Sequence, residues 1–534
     1  MENKSFGKNT KFESNTYYTF EKKDCDIYLE DTERVTDKKY LIMAEVNRGY
    51  LDTAFYLKGL KNVTLDFDGA MIVCHGRIQP FILDECENIT VKNVIVAYER
   101  AFYSEFEVIS NNGKELKFAG KEKFPFRVEN NELIPYGENW EDRDLDKKCM
   151  FLQGFDTKTR KGKGLWVVMI GENPVELKTP PCPVAKLKVR EEDDGIVLSG
   201  DYIPPNYDEG TTLALEHEYR DKSGFAMYHS KDINIENYRI LNGSGMGLLA
   251  IYTENINIDG YKLINDELSH GIIANASDAI HFVSCKGNIS LKNSIIEGMI
   301  DDGLNIHGNF YHAAKAEGNV LYVKRSPVAH TLDANSKVFA KGDEIAIYKG
   351  RTMEEKARFV IESVKITDDF SLVFELDQDA VGIDEDDIIE NISTNPTFEF
   401  RNCRFAKANS HLRLQTRSKG LIEDCEFEIP IMLTGDLNYW FESSPIKDLT
   451  VKNCKFYGER GFFRLIPECN PTEKEPCYHS GVKITECVFE REIAIEGRDT
   501  ADIEFTKNTN SKGKQLKLKL ENCKNVTTDC AELL

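Results

Sequence analysis

One short phrase returns along the chain: KNVTLDFDG at 61, ENITVKNVIV at 87, KDINIENYRI at 231, ENINIDGYKL at 254, GNISLKNSII at 287, KDLTVKNCKF at 447 and SGVKITECVF at 480. Each copy alternates apolar and polar residues with period 2. It opens on a polar turn and is followed by Asn, Asp or Gly and a second apolar pair, so one strand face can be buried while the other stays wet. Ile233 and Ile256 lie 23 residues apart, Val63 and Ile89 lie 26. That spacing leaves no room for a crossover helix. It suits one coil of a right-handed parallel β-helix, in which each coil buries its inner face only by stacking on its neighbours. The expected fold class is all-β. The recurring Asn residues, and the cysteines of NCRF, DCEF, NCKF and ECVF (Cys403, Cys425, Cys454, Cys487), become ladders running up the stack.

Two long segments lack the phrase. Residues 106–216 carry VISNNGKELKF and KVREEDDGIVLSG, whose Asn-Gly and Asp-Gly turns suit antiparallel hairpins. Residues 309–394 carry NVLYVKRSP, KGDEIAIYKG and ARFVIESVKITDDFSLVFELDQD, also antiparallel in character. Both read as β-rich, barrel-like insertions erupting from loops, where added length costs little closure entropy. The expected organisation is N-terminal coils over 1–105, an insertion over 106–216, the coils of interest over 217–308, a second insertion over 309–394 and C-terminal coils over 395–534.

At 534 residues the chain exceeds the size at which one globular core stops growing, as a repeat architecture permits. Lys plus Arg total 68 against 90 Asp plus Glu, a net charge of −22, which argues against nucleic acid as a partner. No basic flank leads into an apolar run at the N-terminus and no stretch of 18 apolar residues occurs, so no membrane partner and a cytoplasmic location are expected. The 14 cysteines are thinly spread, without Cys-x2-Cys pairs, and read as free thiols acting as small buried hydrophobes. Oligomeric state stays open, a homodimer included.

The chemistry concentrates in NASDAIHF, residues 275–282, and SLKNSIIEGMIDDGLNIHG, residues 290–308. Asp278-Ala-Ile-His-Phe set over Asp302-Gly-Leu-Asn-Ile agrees as acid, small, apolar, polar, apolar at a spacing of 24 residues, one coil. Neighbouring strands sit about 4.8 Å apart, so Asp278 and Asp302 should stack, with Asp301 adjacent. Between residues 274 and 309 the only cations are Lys286 and Lys292, which belong to the following strand, so nothing nearby offsets the crowded charge. Crowded carboxylates have their pKa values pushed apart, giving one group that holds a proton and another that is ionised near neutrality. Glycoside hydrolysis uses such a pair, an acid for the leaving oxygen and a base or nucleophile opposite. A structural acidic ladder and a bound divalent cation are the other readings. Strict alternation would point Asp302 inward with Leu304 and Ile306, so the acids must lie in a turn that ends where the strand begins at Gly303.

His281, Asn305 and His307 accompany these acids as candidates for holding substrate. IMLTGDLNYWFESS, residues 431–444, adds Asp436, Trp440 and Glu442: an aromatic face for a sugar ring with acids to bind its hydroxyls, although a Trp beside a Tyr is as often core. Arg220 with His217 in EHEYR, and Glu99 with Arg100 in YER, are further candidates that read equally as surface ion pairs.

GMGLLA at 245–250, NASDAIHFVSCKGNISLKNSIIEGMIDDGLNIHG at 275–308 and GDLNYWFESS at 435–444, with HGRIQPF and YERAF between 75 and 102, resemble the inverting exo-acting α-1,3-galactosidases of glycoside hydrolase family 110, known for removing the terminal galactose of blood group B type glycans. The resemblance implies a β-helix with β-barrel insertions, no cofactor, and a carbohydrate partner bearing terminal α-galactose. It implies Asp301 as general acid and Asp278 with Asp302 as the general base for water. ANSHLRLQTRSKG at 408–420 departs from the Arg-Gly run the resemblance would place there.

Three other readings compete. A polygalacturonase also pairs Asp-Asp with His on a β-helix, but neither GHG nor RIK occurs. A polysaccharide lyase needs a basic side chain at the reacting carbon, and the acids show no such companion in the local sequence. A non-catalytic glycan-binding β-helix would bind its ligand with the acids changed to Asn.

Overall fold

The computed structural model describes the chain except residues 41–48, 121, 144, 146–149, 172–183, 193–194, 218–221, 265–270, 325–336, 368–371, 409, 439 and 470–476. The recurring phrase forms one wall of a parallel β-helix. Val63, Ile89, Ile233, Ile256, Ile289, Phe398, Gly420, Leu449, Val482, Ile503 and Val526 stand in one continuous register row, each strand parallel to the next. An opposite wall has its own row: Leu57, Leu83, Met227, Ala250, Phe282, Ile306, Leu414, Leu433, Leu465, Gly497 and Leu520. Nearly all these side chains are buried between the two walls in a single core. Gly420 interrupts the first row because the Phe398 ring occupies its place; a Cβ there would fall 2.2 Å from Phe398 Cζ.

Asn, Asp and Gly follow the phrase because the chain turns there with positive φ. Asn93, Asn237, Asn293, Asn402 and Asn453 have φ of 58°, 49°, 52°, 53° and 52°, and Gly260 fills the equivalent turn at 75°. Short polar side chains tolerate this left-handed region and glycine adopts it freely. Stacking then lets one amide serve the next: Asn237 Nδ2 donates to Asn93 Oδ1 at 3.0 Å and Asn402 Nδ2 to Asn293 Oδ1 at 2.8 Å. Inside, Phe405, Phe427, Phe456 and Phe489 stack face to face with centroids 5.5, 5.1 and 4.6 Å apart. Beside them the backbone N–H of Cys403, Cys425 and Cys454 each points at the thiol of the next cysteine, 3.4 Å away. The 12 cysteines among the described residues are all free.

The register steps over two excursions without losing its place. Ile89 pairs directly with Ile233, and Ile289 with Phe398. In the first gap, strands Tyr103–Asn111, Glu115–Gly120, Gly195–Ser199, Ala185–Glu192, Gly162–Ile170, Met150–Asp156 and Thr211–Glu216 close a mostly antiparallel barrel around its own apolar core. In the second gap, Leu304–Glu317 runs out of the helix and pairs with Val320–Lys324 and Ile388–Asn391, which Glu344–Lys349, Glu354–Ile366 and Leu372–Leu376 close into a second antiparallel barrel. The strand that carries Asn305 and His307 is therefore also the root of this barrel. No α-helix occurs among the described residues, and none is long and apolar enough to cross a membrane.

Candidate active site

The opposite wall alternates like any strand stack, so the residues between its core positions face outward. They form two adjoining rows. Leu249, His281, Asn305, Arg413, Met432 and Arg464 are in register, and beside them run Val283, His307 and then Gln415 on the next coil, whose N–H bonds Ile306 C=O at 2.9 Å. Asp278 and Asp302 occupy equivalent positions in the turns that precede strands Ile280–Val283 and Leu304–Glu317, and Ala279 N–H bonds the Asp302 carbonyl at 2.9 Å. The strand starts at Leu304, one residue later than expected, which frees Asp302 from the alternation that would have buried it in the core.

Asp302 is 4 % exposed, with partners on every side. Ser410 Oγ donates to Oδ1, His411 N–H reaches the same oxygen at 3.2 Å, and Arg413 Nε stands 2.9 Å from Oδ2. Burial alone would raise its pKa; the Arg413 guanidinium, with His411 and Ser410, outweighs burial and holds the carboxyl well below the usual carboxylate range. Arg413 is in turn held protonated, its pKa raised against the pull of burial by Asp302, Glu442, Asp301 and Asp278. All three candidate acids therefore act on one guanidinium. The cation that the local sequence lacks is supplied by the next coil, and the crowding inferred from sequence is offset there. Held charged by four carboxylates, Arg413 is not placed to accept a proton as a lyase base would.

Asp301 is half-buried, between buried Ile300 and Asp302. Its turn is pinned from the first barrel, where Gln153 Nε2 donates to Ile300 C=O at 2.5 Å.

Asp278, 2 % exposed, contacts His281 Nδ1 at 2.5 Å. His281 Nε2 lies 2.7 Å from His307 Nε2, and His307 Nδ1 lies 2.7 Å from Gly308 C=O. Glu442 arrives from Glu442–Ser443, which pairs antiparallel with Gly308 and Asn309. Its carboxylate accepts from Gln415 Nε2 at 2.9 Å and Asn305 Nδ2 at 3.4 Å, and stands 3.6 Å from both His307 Nε2 and Arg413 Nη1. Burial pushes its pKa up, but His307, Arg413 and His281 prevail and lower it. His281, His307 and Glu442 gather their donor atoms within 4.8 Å, so they are the group to weigh for a cation. Two nitrogens 2.7 Å apart, each about 2.05 Å from an ion, would subtend only about 80° rather than the tetrahedral angle of zinc. The separation is that of an N–H···N hydrogen bond.

A cavity of about 300 Å³ opens beside Arg413, lined by Met432, Thr434, Asp436, Asn438, Trp440, Arg464 and Glu468, among others. Asp436 accepts from the backbone N–H groups of Asn438 and Trp440, each at 2.6 Å, and so sets the loop that holds Trp440 at the rim. Burial, then the Asp436 charge, raises the pKa of Glu468.

Of the sequence candidates, Asp278, His281, Asp301, Asp302, Asn305, His307 and Glu442 thus come together around Arg413, and Asp436 and Trp440 line the adjoining cavity. Arg220 lies outside the described residues. His217 is buried, with Nδ1 3.1 Å from Asp142 and its ring stacked on Trp140, and Arg100 is buried on the carbonyls of Ala101 and Tyr103; both belong to the root of the first barrel. Sequence reasoning missed Ser410, His411, Arg413, Gln415 and Arg464. The first four lie in the stretch ANSHLRLQTRSKG, and the signal was present: Leu412-Arg-Leu414 repeats Leu304-Asn-Ile306, but the second barrel hides the spacing.

No family model matches the chain. Curated proteins do: "Alpha-1,3-galactosidase B" of Bacteroides thetaiotaomicron is 26% identical over 453 residues, 82% of this chain and 71% of that protein. "Alpha-1,3-galactosidase A" of Shewanella woodyi is 26% identical over 501 residues (88% and 77%), and that of Bacteroides fragilis 24% over 473 (85% and 74%). Among solved structures, the polygalacturonase from Erwinia carotovora ssp. carotovora aligns over 98% of this chain and 90% of its own at 8% identity, with a TM-score of 0.34.

Proposed function

We propose that the chain is a galactosidase of glycoside hydrolase family 110, cleaving terminal α-1,3-linked galactose from the non-reducing end of oligosaccharides or glycoconjugates with inversion. The observation that carries this reading is the meeting of Asp278, Asp301 and Asp302 around Arg413, in a chain similar over most of its length to proteins named α-1,3-galactosidase. Asp301, the more exposed acid, protonates the departing oxygen. Asp278 and Asp302 take the proton of the attacking water, and an inverting site keeps acid and base about 6.5–9.5 Å apart to admit that water. Asp302 suits the base role because Arg413 keeps it ionised. Trp440 offers the sugar ring an apolar face, and Arg464 and Asn438 offer donors to its hydroxyls.

Asp301→Asn tests the assignment. The variant keeps size and shape but has no proton to give, so it should lose about 10²–10⁴-fold in turnover on an α-1,3-galactoside. Its melting temperature should stay close to that of the parent. Full activity in a folded Asp301→Asn protein removes Asp301 from the acid role.

A further inference from the structure

The contact between His281 and His307 sets a proton-counting problem. His307 Nδ1 faces the Gly308 carbonyl at 2.7 Å; a carbonyl only accepts, so Nδ1 carries a hydrogen. His281 Nδ1 faces Asp278 at 2.5 Å; an ionised carboxylate only accepts, so with Asp278 charged, as the base role requires, this nitrogen carries a hydrogen too. If both rings were neutral, each Nε2 would be a bare lone pair, and two lone pairs would meet at 2.7 Å with no hydrogen between them. Both residues are 2 % exposed, so water does not relieve the clash.

We propose that His281 and His307 share one additional proton, N–H···N, and that this protonated pair is the counter-cation that keeps Asp278 ionised to receive the proton of the attacking water. The inference rests on the base assignment made above and adds to it two positioning residues, His281 acting directly on Asp278 and His307 acting through His281. It also leaves neither ring a free nitrogen for a sugar hydroxyl, which was the role the sequence suggested for both.

The surroundings fix where the charge sits. Asp278 faces His281 from its own coil, and Glu442 stands 3.6 Å from His307 Nε2, the nitrogen that also faces His281. Arg413 stands 3.6 Å from Glu442, and its guanidinium is paired with Asp302. Leu249, the register neighbour of His281 on the preceding coil, brings no charge, and Asn305 on the following coil is neutral. Burial lowers the pKa of His307 and outweighs Glu442, which raises it. Because Asp278 touches His281 at 2.5 Å whereas Glu442 stands 3.6 Å from His307, the proposal places the charge on His281 with His307 as its acceptor.

During hydrolysis the water oxygen bonds to the anomeric carbon as the bond from that carbon to the leaving oxygen breaks. The leaving oxygen takes the proton of Asp301, and the water's proton passes to Asp278. Solvent exchange after product release restores both carboxyls. These transfers need no oxidant or reductant.

Nitrogen-15 spectra of the resting full-length protein, labelled at histidine, count the protons directly. Three of the four ring nitrogens of His281 and His307 should be protonated, the fourth showing an acceptor shift, and the assignments should vanish in His307→Gln. In that variant His281 keeps its contact with Asp278 but loses the ring nitrogen that accepts its second proton, so the charge that holds Asp278 ionised is weakened. The acid limb of the kcat/KM profile should then move to higher pH by about 1 to 3 units. Two protonated nitrogens instead of three, stoichiometric metal bound to the purified protein, or an acid limb unmoved in a folded His307→Gln protein each overturn the proposal. Should the wild-type protein cleave no α-galactoside, the functional reading falls, while the nitrogen count still decides whether the pair shares a proton. Should His307→Gln not fold, the wild-type spectrum decides alone.

Discussion

Arg413 is the residue on which the acids depend. Asp302 and Glu442 are buried at 4 % and 3 % exposure, and that guanidinium favours the charged form of both, acting on Glu442 together with His307. Replacing Arg413 with Gln leaves two buried carboxylates short of their cation, and removal of one partner from a buried pair costs about 3–5 kcal/mol. Chemical denaturation should show a loss of that size together with loss of activity. The same pairing makes stability depend on acid. Asp302 has a folded pKa below its unfolded value of about 3.9. The stability it lends is thus complete above that value and fades as pH falls from there toward the folded pKa. Melting curves of wild type and Asp302→Asn should differ most above about pH 5 and converge in stronger acid; a constant difference across that range contradicts the ion-pair account.

The coil is the unit of stability at the next scale. Phe456 lies between Phe427 and Phe489 at 5.1 and 4.6 Å and is 1 % exposed, so truncating it opens a cavity in the middle of a stack. Phe456→Ala should cost about 3–5 kcal/mol, read from the urea midpoint. At the turns the demand is on the backbone. Asn293, with φ of 52°, should tolerate Gly, whereas Val should cost about 1–2 kcal/mol in thermal melts. These elements were legible in the sequence because alternation and a turn residue return together at intervals of 21 to 33 residues. Half of the site was legible for the same reason: Asp278 and Asp302 are separated by a single uninterrupted coil. The other half was not, because Asn305 and Arg413 are register neighbours with a whole barrel threaded between them. Local spacing then suggests an acidic cluster without a cation, and only strand register supplies one.

Seen whole, the molecule is a stack of coils with two barrels rooted beside one outward cleft, the first bonding the turn before Asp301 and the second growing from the strand that holds Asn305 and His307. Neither barrel disturbs the stacking register, so cohesion comes from apolar burial. With the 12 described cysteines free, a reducing agent should leave the melting temperature unchanged; a drop would reveal a covalent constraint this account does not contain. The central claim is that the acids gathered at Arg413 release galactose from an α-1,3 linkage with water entering from the opposite face. Proton NMR of the first minutes of reaction on a Gal-α-1,3-Gal disaccharide tests it most directly. The account predicts that β-galactose appears first and the α anomer only by later mutarotation; initial α-galactose, or no galactose from this linkage when other α-galactosides are cleaved, would contradict it.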